Sequence, residues 1–316
     1  MHANGSNGTN GVNGAYKPPM RTSTRLRQLL AGPGLVVAPG VYDGVSAHLA
    51  VATSPQAIYM TGAGTTASRL GLPDLGFANQ DDFVNHASMI TRIARDVPLI
   101  ADADVGFGGP AQVARTVERY AQVGVAALHI EDQVAQKRCG HLLGKQLASE
   151  AEFLTRIRGA ALGRERSRSD IVIIARSDAL QSLGIDATVD RLKKAIEAGA
   201  DVAFCEGMRS REDAEAVIRG LSGHPCLINL VAGGSTPDFT VKEAQALGFK
   251  LAIFPGAAFS AAALAIQRAY ETLQTEGTDK NVANSMSPRD FFKMVGLDEA
   301  LELDAKAGNS AYQSGV

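Results

Sequence analysis

Short runs of apolar, β-prone residues recur along the chain: LVVA (35–38), AIYM (57–60), PLIA (98–101), ALHI (127–130), IVIIA (171–175), VAFC (202–205), CLIN (226–229) and LAIF (251–254). Each is continuous rather than alternating, as expected of strands buried on both faces of a parallel sheet. Between most of them the period becomes helical. AQVARTVERYAQVG (111–124) and ATVDRLKKAIEAG (187–199) place apolar residues at helical spacing and stop at a glycine. SREDAEAVIRGLSG (210–223) offers Ser210 as an N-cap and Asp213 in the first turn. Eight such units predict a closed (β/α)8 TIM barrel in preference to an open sheet. No G-x-G-x-x-G loop follows the first strand, which argues against a dinucleotide site. From about residue 260, helical patterns at 261–274 and 287–307 exceed what eight units need and form a C-terminal extension. From pattern alone, packing on a partner subunit and an intrachain role are equally suited to it.

The chain has 316 residues, enough for one barrel domain over 21–316. Residues 1–20 are set apart as a tail, rich in Gly and Asn (NGSNGTNGVNG) and expected to be disordered. The tail has no apolar signal-peptide core, so its two formal glycosylation sequons at Asn4 and Asn7 carry no weight. No apolar stretch is long enough to span a bilayer. The expectation is a soluble, cytoplasmic protein, with an organelle left open. A net charge of −2 suggests neither a nucleic-acid surface nor a cationic membrane face, so an anionic substrate must be captured by local groups. The three cysteines form no disulfide framework, and Cys205 and Cys226, inside apolar runs, read as inert core residues.

In a TIM barrel the chemistry sits where strands end. Run two leads into Tyr59, Thr61, Gly62 and Ala63; run three into Asp102 and Asp104; run four into His129, Glu131 and Asp132. Run five leads into Arg176 and Asp178, run six into Glu206 and run seven into Asn229. Asp102 and Asp104 share one side of an extended strand end, because alternate residues share a face. With Glu131 from the next strand, three carboxylates converge and would repel one another unless a hard cation neutralises them. Oxygen donors with retained waters suit Mg²⁺, with Mn²⁺ a substitute, and the lack of His/Cys sets argues against Zn²⁺. Capping and solvated loop acids are the plainer explanation of an isolated D-x-D; its place at a strand end beside Glu131 favours metal. Arg176 suits bidentate capture of a carboxylate, against a purely structural ion pair with Asp178 or Glu206. His129, inside an apolar run, reads as a satisfied core histidine. Cys139, in the glycine-containing loop KRCGH (137–141), is flanked by cations and a histidine, surroundings that make a thiol a competent proton donor. A basic surface loop with an incidental thiol is an equal reading of that composition.

The runs VAPGVYDGVSA (37–47), YMTGAGTTAS (59–68), GLPDLG (71–76), ADADVGFGGP (101–110), HIEDQ (129–133), KRCGH (137–141) and IVIIARSDAL (171–180) resemble the isocitrate lyase/phosphoenolpyruvate mutase superfamily over roughly residues 24–308. Within it the likeness is greatest to the 2-methylisocitrate lyase, 2,3-dimethylmalate lyase and oxaloacetate hydrolase group. The resemblance implies a barrel whose last helix is swapped between subunits of a homo-oligomer, a dimer or tetramer. It implies Mg²⁺ bound directly by Asp102, with Asp74, Asp104 and Glu131 holding its waters. Thr61, Gly62 and Ala63 would bind a substrate carboxylate; Gly140, His141, Arg176, Glu206 and Asn229 would contact the substrate. Cys139, on a gating loop, would protonate the product carbanion, and Tyr59 would take or orient the hydroxyl proton. Mutases of the superfamily generally lack the cysteine motif, so KRCGH implies a Mg²⁺-dependent carbon–carbon lyase that cleaves a 2-hydroxy di- or tricarboxylate of 2-alkylmalate or methylisocitrate type. An oxaloacetate hydrolase, and a repurposed non-catalytic barrel that binds a metabolite, are the alternatives. This chain departs from the pattern at Ala232 (usually Glu), Val105 and Phe107 (commonly Thr and Tyr), Val231 (Ser or Thr in some members) and Gly256 (usually bulky). The departures remove one rim carboxylate at Ala232 but leave the metal-site acids and the cysteine in place, and they predict a larger or less polar substrate than methylisocitrate.

Overall fold

The computed structural model describes residues 20–140, 142–282 and 286–309. The expected Gly/Asn-rich tail therefore lies outside the described residues, apart from Met20. Eight parallel strands, β1 (Val36–Val41), β2 (Ile58–Met60), β3 (Leu99–Asp102), β4 (Ala127–Glu131), β5 (Val172–Ser177), β6 (Val202–Cys205), β7 (Cys226–Asn229) and β8 (Leu251–Phe254), close into a barrel in chain order. Its first strand pairs with its last, through Val36 opposite Leu251 and Ala38 opposite Ile253. The described helices are α1 (Thr22–Ala31), α2 (Gly44–Ala52), α3 (Gly62–Leu70), α4 (Gln80–Ile93), α5 (Pro110–Gln122), α6 (Glu150–Arg166), α7 (Leu180–Glu197), α8 (Arg211–Gly220), α9 (Val241–Leu247), α10 (Phe259–Glu276), α11 (Pro288–Met294) and α12 (Leu297–Lys306). The fold is the (β/α)8 barrel that the eight apolar runs predict.

The strands are apolar on both faces for the expected reason. Val41, Ile58, Met60, Leu99, Leu128, Ile173 and Ile228 face outward into one continuous core beneath the helices. Val36, Tyr59, Ile100, Ile174, Phe204, Leu227 and Ile253 fill the barrel interior, and Leu26 and Leu30 of α1 join that cluster. The barrel is thus packed, not hollow. Three of the strands that run further than their apolar runs end on polar residues. β3 ends on Asp102, β4 on Glu131, and β5 continues through Arg176 to Ser177. The ladder pairs Asp102 with His129 and Glu131 with Arg176. These polar groups therefore stand on hydrogen-bonded strand backbone, which holds them more rigidly than loop positions would.

Helix caps follow the sequence. Ser210 accepts from the Asp213 backbone N–H at 3.2 Å, as expected of an N-cap. The expected helix at 187–199 is longer than its pattern: α7 starts at Leu180 and is interrupted by Gly184, whose φ of 77° an L side chain would resist. The helical pattern over 287–307, which suits one or two helices, forms two, α11 and α12, divided at Gly296 with φ 95°. The C-terminal part stands apart from the core. No residue of α10 is buried, and Leu264, Ile266, Tyr270 and Leu273 expose large apolar side chains.

Candidate active site

The side-chain alternation of a strand explains where the site forms. Within each strand the interior-facing series is every second residue. On β3 that series runs Ile100, Asp102 and on to Asp104; on β4, Ala127, His129, Glu131; on β5, Ile174, Arg176 and on to Asp178. On β6 it runs Phe204, Glu206 and on β7 Leu227, Asn229. The apolar members fill the barrel, and the next member of each series emerges at its C-terminal mouth. All of Asp102, Asp104, Glu131, Arg176, Asp178, Glu206 and Asn229 are buried there.

Acids dominate one half of this floor. The Asp102 carboxylate accepts from the Asp104 backbone N–H at 2.8 Å. Its other oxygen lies so close to the Gly62 Cα that a methyl group there would collide with it. Gly62 and Ala63 open α3, whose N-cap Thr61 accepts from the Gly64 N–H at 3.4 Å. The first N–H groups of a helix have no intrahelical partner and favour an anion. Asp104 adopts φ 46°, a strained conformation for a residue other than glycine and a common mark of a functional turn. Burial pushes the Asp104 carboxyl up to about 7, against the pull of Lys137. Burial also drives the Glu131 carboxyl well above the usual carboxylate range. Asp102 moves the other way, held down by the cations Lys137 and Arg176 against the effect of its own burial.

Lys137 is the residue that sequence reasoning missed. Its ammonium, almost fully buried, reaches the carboxylates of Asp74 at 2.7 Å and Asp104 at 2.6 Å. Asp74, expected to hold waters of a metal ion, is here the partner of Lys137, and its backbone carbonyl accepts from the Cys139 N–H at 3.2 Å. The motif KRCGH contained the signal, but only the fold shows that Lys137 points inward while its neighbour Arg138 is exposed.

Arg176 organises the other half. Arg176 is gripped by Asp178 through two hydrogen bonds of 3.0 and 3.1 Å, and it lies 3.1 Å from Glu131 and 3.6 Å from Glu206. Its guanidinium stacks over Phe204 at 5.4 Å. The structural ion pairs and the candidate substrate contact are therefore the same arrangement. The Asn229 amide donates to Glu206 at 3.0 Å. Gly140 is pressed onto this pair: a Cβ there would lie 2.5 Å from Arg176 Nη2 and 2.7 Å from Glu206 Cγ. The Cys139 segment thus sits directly over the floor, with Cys139 half-buried and in no disulfide. His141 lies outside the described residues.

Tyr59 lies one layer below. Its hydroxyl is 2.8 Å from His129 Nε2, the two rings stack, and burial raises the phenol well above its usual range. His129 is the buried core residue expected, but only one ring nitrogen is hydrogen-bonded. Nδ1 has no hydrogen bond and lies 3.6 Å from Asp102. Burial pushes its pKa down to about 4, so the ring is neutral. Cys205 and Cys226 are buried as expected, with the Cys226 thiol pushed up to about 12. Of the departures, Val105 and Phe107 line a cleft of about 670 Å³ beside Asp104 and Lys137, and Phe107 packs on Phe83 at 5.2 Å. Ala232 is exposed on the loop after β7.

The donor set suits a divalent cation. Six carboxylates (Asp74, Asp102, Asp104, Glu131, Asp178, Glu206) meet three cations (Lys137, Lys145, Arg176), so the ionised floor carries excess negative charge. Glu131 Oε1 is a buried carboxylate oxygen with no hydrogen-bond donor. Among the described residues, no three His, Cys, Asp or Glu side chains are arranged as direct ligands of one ion.

A family model described as phosphoenolpyruvate phosphomutase matches residues 26–274. The chain belongs to this family. It is thereby a member of the phosphoenolpyruvate mutase/isocitrate lyase superfamily, as its motifs imply. It is 36% identical to a 2,3-dimethylmalate lyase of Eubacterium barkeri over 90% of this chain and 98% of that one. It is 37% identical to a 2-methylisocitrate lyase of Aeropyrum pernix, over 94% and 95%. Among solved structures, a 2,3-dimethylmalate lyase superposes with a TM-score of 0.92 at 48% identity, covering 95% of this chain and 99% of that one. An oxaloacetate acetylhydrolase bound to 3,3-difluorooxalacetate gives 0.89 at 46%, covering 92% and 98%. A phosphonopyruvate hydrolase solved with oxalate and Mg²⁺ gives 0.80 at 25%, covering 91% and 99%. Both of these curated relatives carry lyase names, and the chain is an enzyme of that class, a carbon–carbon lyase.

Proposed function

We propose that this lyase is Mg²⁺-dependent and cleaves a 2-hydroxy di- or tricarboxylate of the 2-alkylmalate or methylisocitrate type into a 2-oxo acid and a second carboxylate. The observation that carries the reading is the seating of Gly140, next to the thiol-bearing Cys139, on Arg176 and Glu206 at the mouth where Asp102, Asp104 and Glu131 gather. Asp102 would hold the ion directly, with Asp104, Glu131 and Asp74 on its waters; Mn²⁺ would fit the same oxygens. When bound, the ion supplies Lewis acidity to the 2-hydroxyl oxygen and its adjacent carboxylate.

The chain's own groups supply the rest. The Thr61 hydroxyl and the N–H groups of Gly62 and Ala63 take a substrate carboxylate at the α3 N-terminus. Arg176 donates to the substrate from a pose fixed by Asp178, and Glu206 and Asn229 complete the far wall. As the 2-hydroxyl passes its proton to a floor carboxylate whose proton affinity burial raises, Asp104 or Glu131, its C–O bond becomes a carbonyl and the adjacent C–C bond breaks. The electron pair passes to the carbon next to the second carboxylate, and Cys139 Sγ–H protonates it. Tyr59, with its raised pKa and its hydroxyl turned to His129, orients the hydroxyl side of the site rather than taking the proton itself.

Incubation with racemic 2,3-dimethylmalate and with 2-methylisocitrate tests the reading by Mg²⁺-dependent release of a 2-oxo acid. Release that needs no divalent ion, or none from any 2-alkylmalate, overturns it. The solved oxaloacetate acetylhydrolase at 46% identity favours one second reading: formation of oxalate and acetate from oxaloacetate would put the hydrolase first. We also propose that the exposed apolar face of α10 packs on a second copy in a homodimer or tetramer, the swapped-helix arrangement that the resemblance implies. No described helix is long and apolar enough to cross a membrane.

A further inference from the structure

The reaction proposed above uses Arg176 and Cys139 but leaves unexplained a buried lysine between them. Lys145 lies at the far end of the loop that carries Cys139, and its side chain is only 5% exposed. Its ammonium bonds the Gly140 carbonyl at 2.6 Å and the Asp178 carboxylate at 3.0 Å. Asp178 is the same carboxylate that grips Arg176 through two hydrogen bonds. Asp178 is itself fixed from behind, because Asp132 accepts its backbone N–H at 2.8 Å and is held by Ser177 at 2.7 Å and Arg191 at 3.0 Å.

We infer that Lys145 is a positioning residue for the lyase reaction: it ties the Gly140 carbonyl, and with it Cys139, to the carboxylate that orients Arg176. One buried ammonium thus sets the distance between the proton donor and the substrate-binding guanidinium. A lysine side chain buried only for packing would have an apolar replacement of equal length. Here two charge-assisted hydrogen bonds end on two different parts of the site, and removal of the ammonium leaves the Gly140 carbonyl without this donor and Asp178 with Arg176 as its one remaining cation. The inference rests on the proposed roles of Cys139 and Arg176, but its first readout needs no substrate.

Lys145→Met keeps the length of the stem and removes the charge. The test is the rate at which iodoacetamide alkylates Cys139 in the substrate-free protein, resolved by peptide mass spectrometry. The buried Cys205 and Cys226 report on folding in the same sample. Cys139 in Lys145→Met should react at least about tenfold faster than in wild type, the factor expected on losing a charged hydrogen bond, with the other two thiols still protected. Lys145→Arg, which keeps a cation, should stay within about threefold of wild type. With the cleaved substrate in hand, kcat of Lys145→Met should fall about tenfold or more while KM moves less, since the loss is of pose and not of a substrate contact. An unchanged Cys139 rate in Lys145→Met with Cys205 and Cys226 protected would overturn the inference. So would a Lys145→Arg protein whose Cys139 is as reactive as in Lys145→Met. If Lys145→Met exposes all three thiols, the Arg variant decides: wild-type protection of Cys139 supports the tie, and its loss with the core thiols protected refutes it. Absence of turnover on every 2-alkylmalate would sink the proposed reaction without touching the alkylation result.

Discussion

A single methyl group on Gly140 tests whether the Cys139 segment must press onto Arg176 for catalysis. Gly140 has no left-handed backbone angle, so alanine is acceptable to the chain itself and the effect is steric. The added Cβ would sit 2.5 Å from Arg176 Nη2 and 2.7 Å from Glu206 Cγ, about 1 Å inside ordinary contact. Arg176 cannot give way cheaply, because Asp178 holds it by two bonds and Glu131 and Glu206 flank it. The segment must lift instead. Overpacking of this kind costs about 1–3 kcal/mol. If lifting absorbs that cost, the seated population falls about 5- to 150-fold, and kcat/KM for Mg²⁺-dependent 2-oxo acid release falls by the same factor. Global stability should barely change, whereas the same cost borne by the whole fold would lower Tm by several degrees. Calorimetry beside a coupled 2-oxo acid assay separates the two. Gly140→Ala with wild-type kcat/KM would refute the reasoning, as would a large fall in Tm with unchanged activity per folded molecule.

Three further outcomes follow from the same floor. Cys139→Ser should lose about 10²-fold or more in turnover while Mg²⁺ still raises Tm; full activity would remove the thiol as proton donor. Glu131→Gln replaces a buried carboxyl whose burial already disfavours its charge, so the metal-free protein should be at least as stable as wild type while the Mg²⁺-induced rise in Tm shrinks or vanishes; a wild-type Mg²⁺ response would take Glu131 out of the site. Asp104, pushed up to about 7, binds a proton in the folded metal-free state that it loses near 3.8 when unfolded, so its contribution to metal-free stability is lost as pH rises from about 4 through 7. Since Mg²⁺ must displace that proton, and one from the raised Glu131 as well, affinity measured by thermal shift should climb with pH from 5 to 8; a flat profile over that range would contradict this.

Most of the barrel was legible because strands buried on both faces leave unbroken apolar runs, and all eight runs became strands. The position of the site was legible for a related reason. Asp102, Glu131, Arg176, Glu206 and Asn229 continue the inward alternation of their strands, a pattern that depends only on local geometry. What sequence could not give was pairing across the mouth. Lys137 reads as one more loop cation until the fold turns it onto Asp74 and Asp104. Lys145 and Asp178 are likewise ordinary until the loop folds back on β5. The half-satisfied His129 was legible as buried but not as the neighbour of Tyr59 and Asp102, because those contacts come from strands 2, 3 and 4 together. The early start of α7 was missed because Gly184 breaks the helical period there.

A crystal structure of the protein grown with Mg²⁺ and oxalate tests the central claim most directly. The account predicts one ion at the barrel mouth with an Asp102 oxygen at about 2.1 Å, and Asp104 and Glu131 on its waters. It also predicts oxalate bridging the ion and the Arg176 guanidinium, under the Cys139 segment. An ion bound away from Asp102, or oxalate that leaves Arg176 untouched, would contradict it.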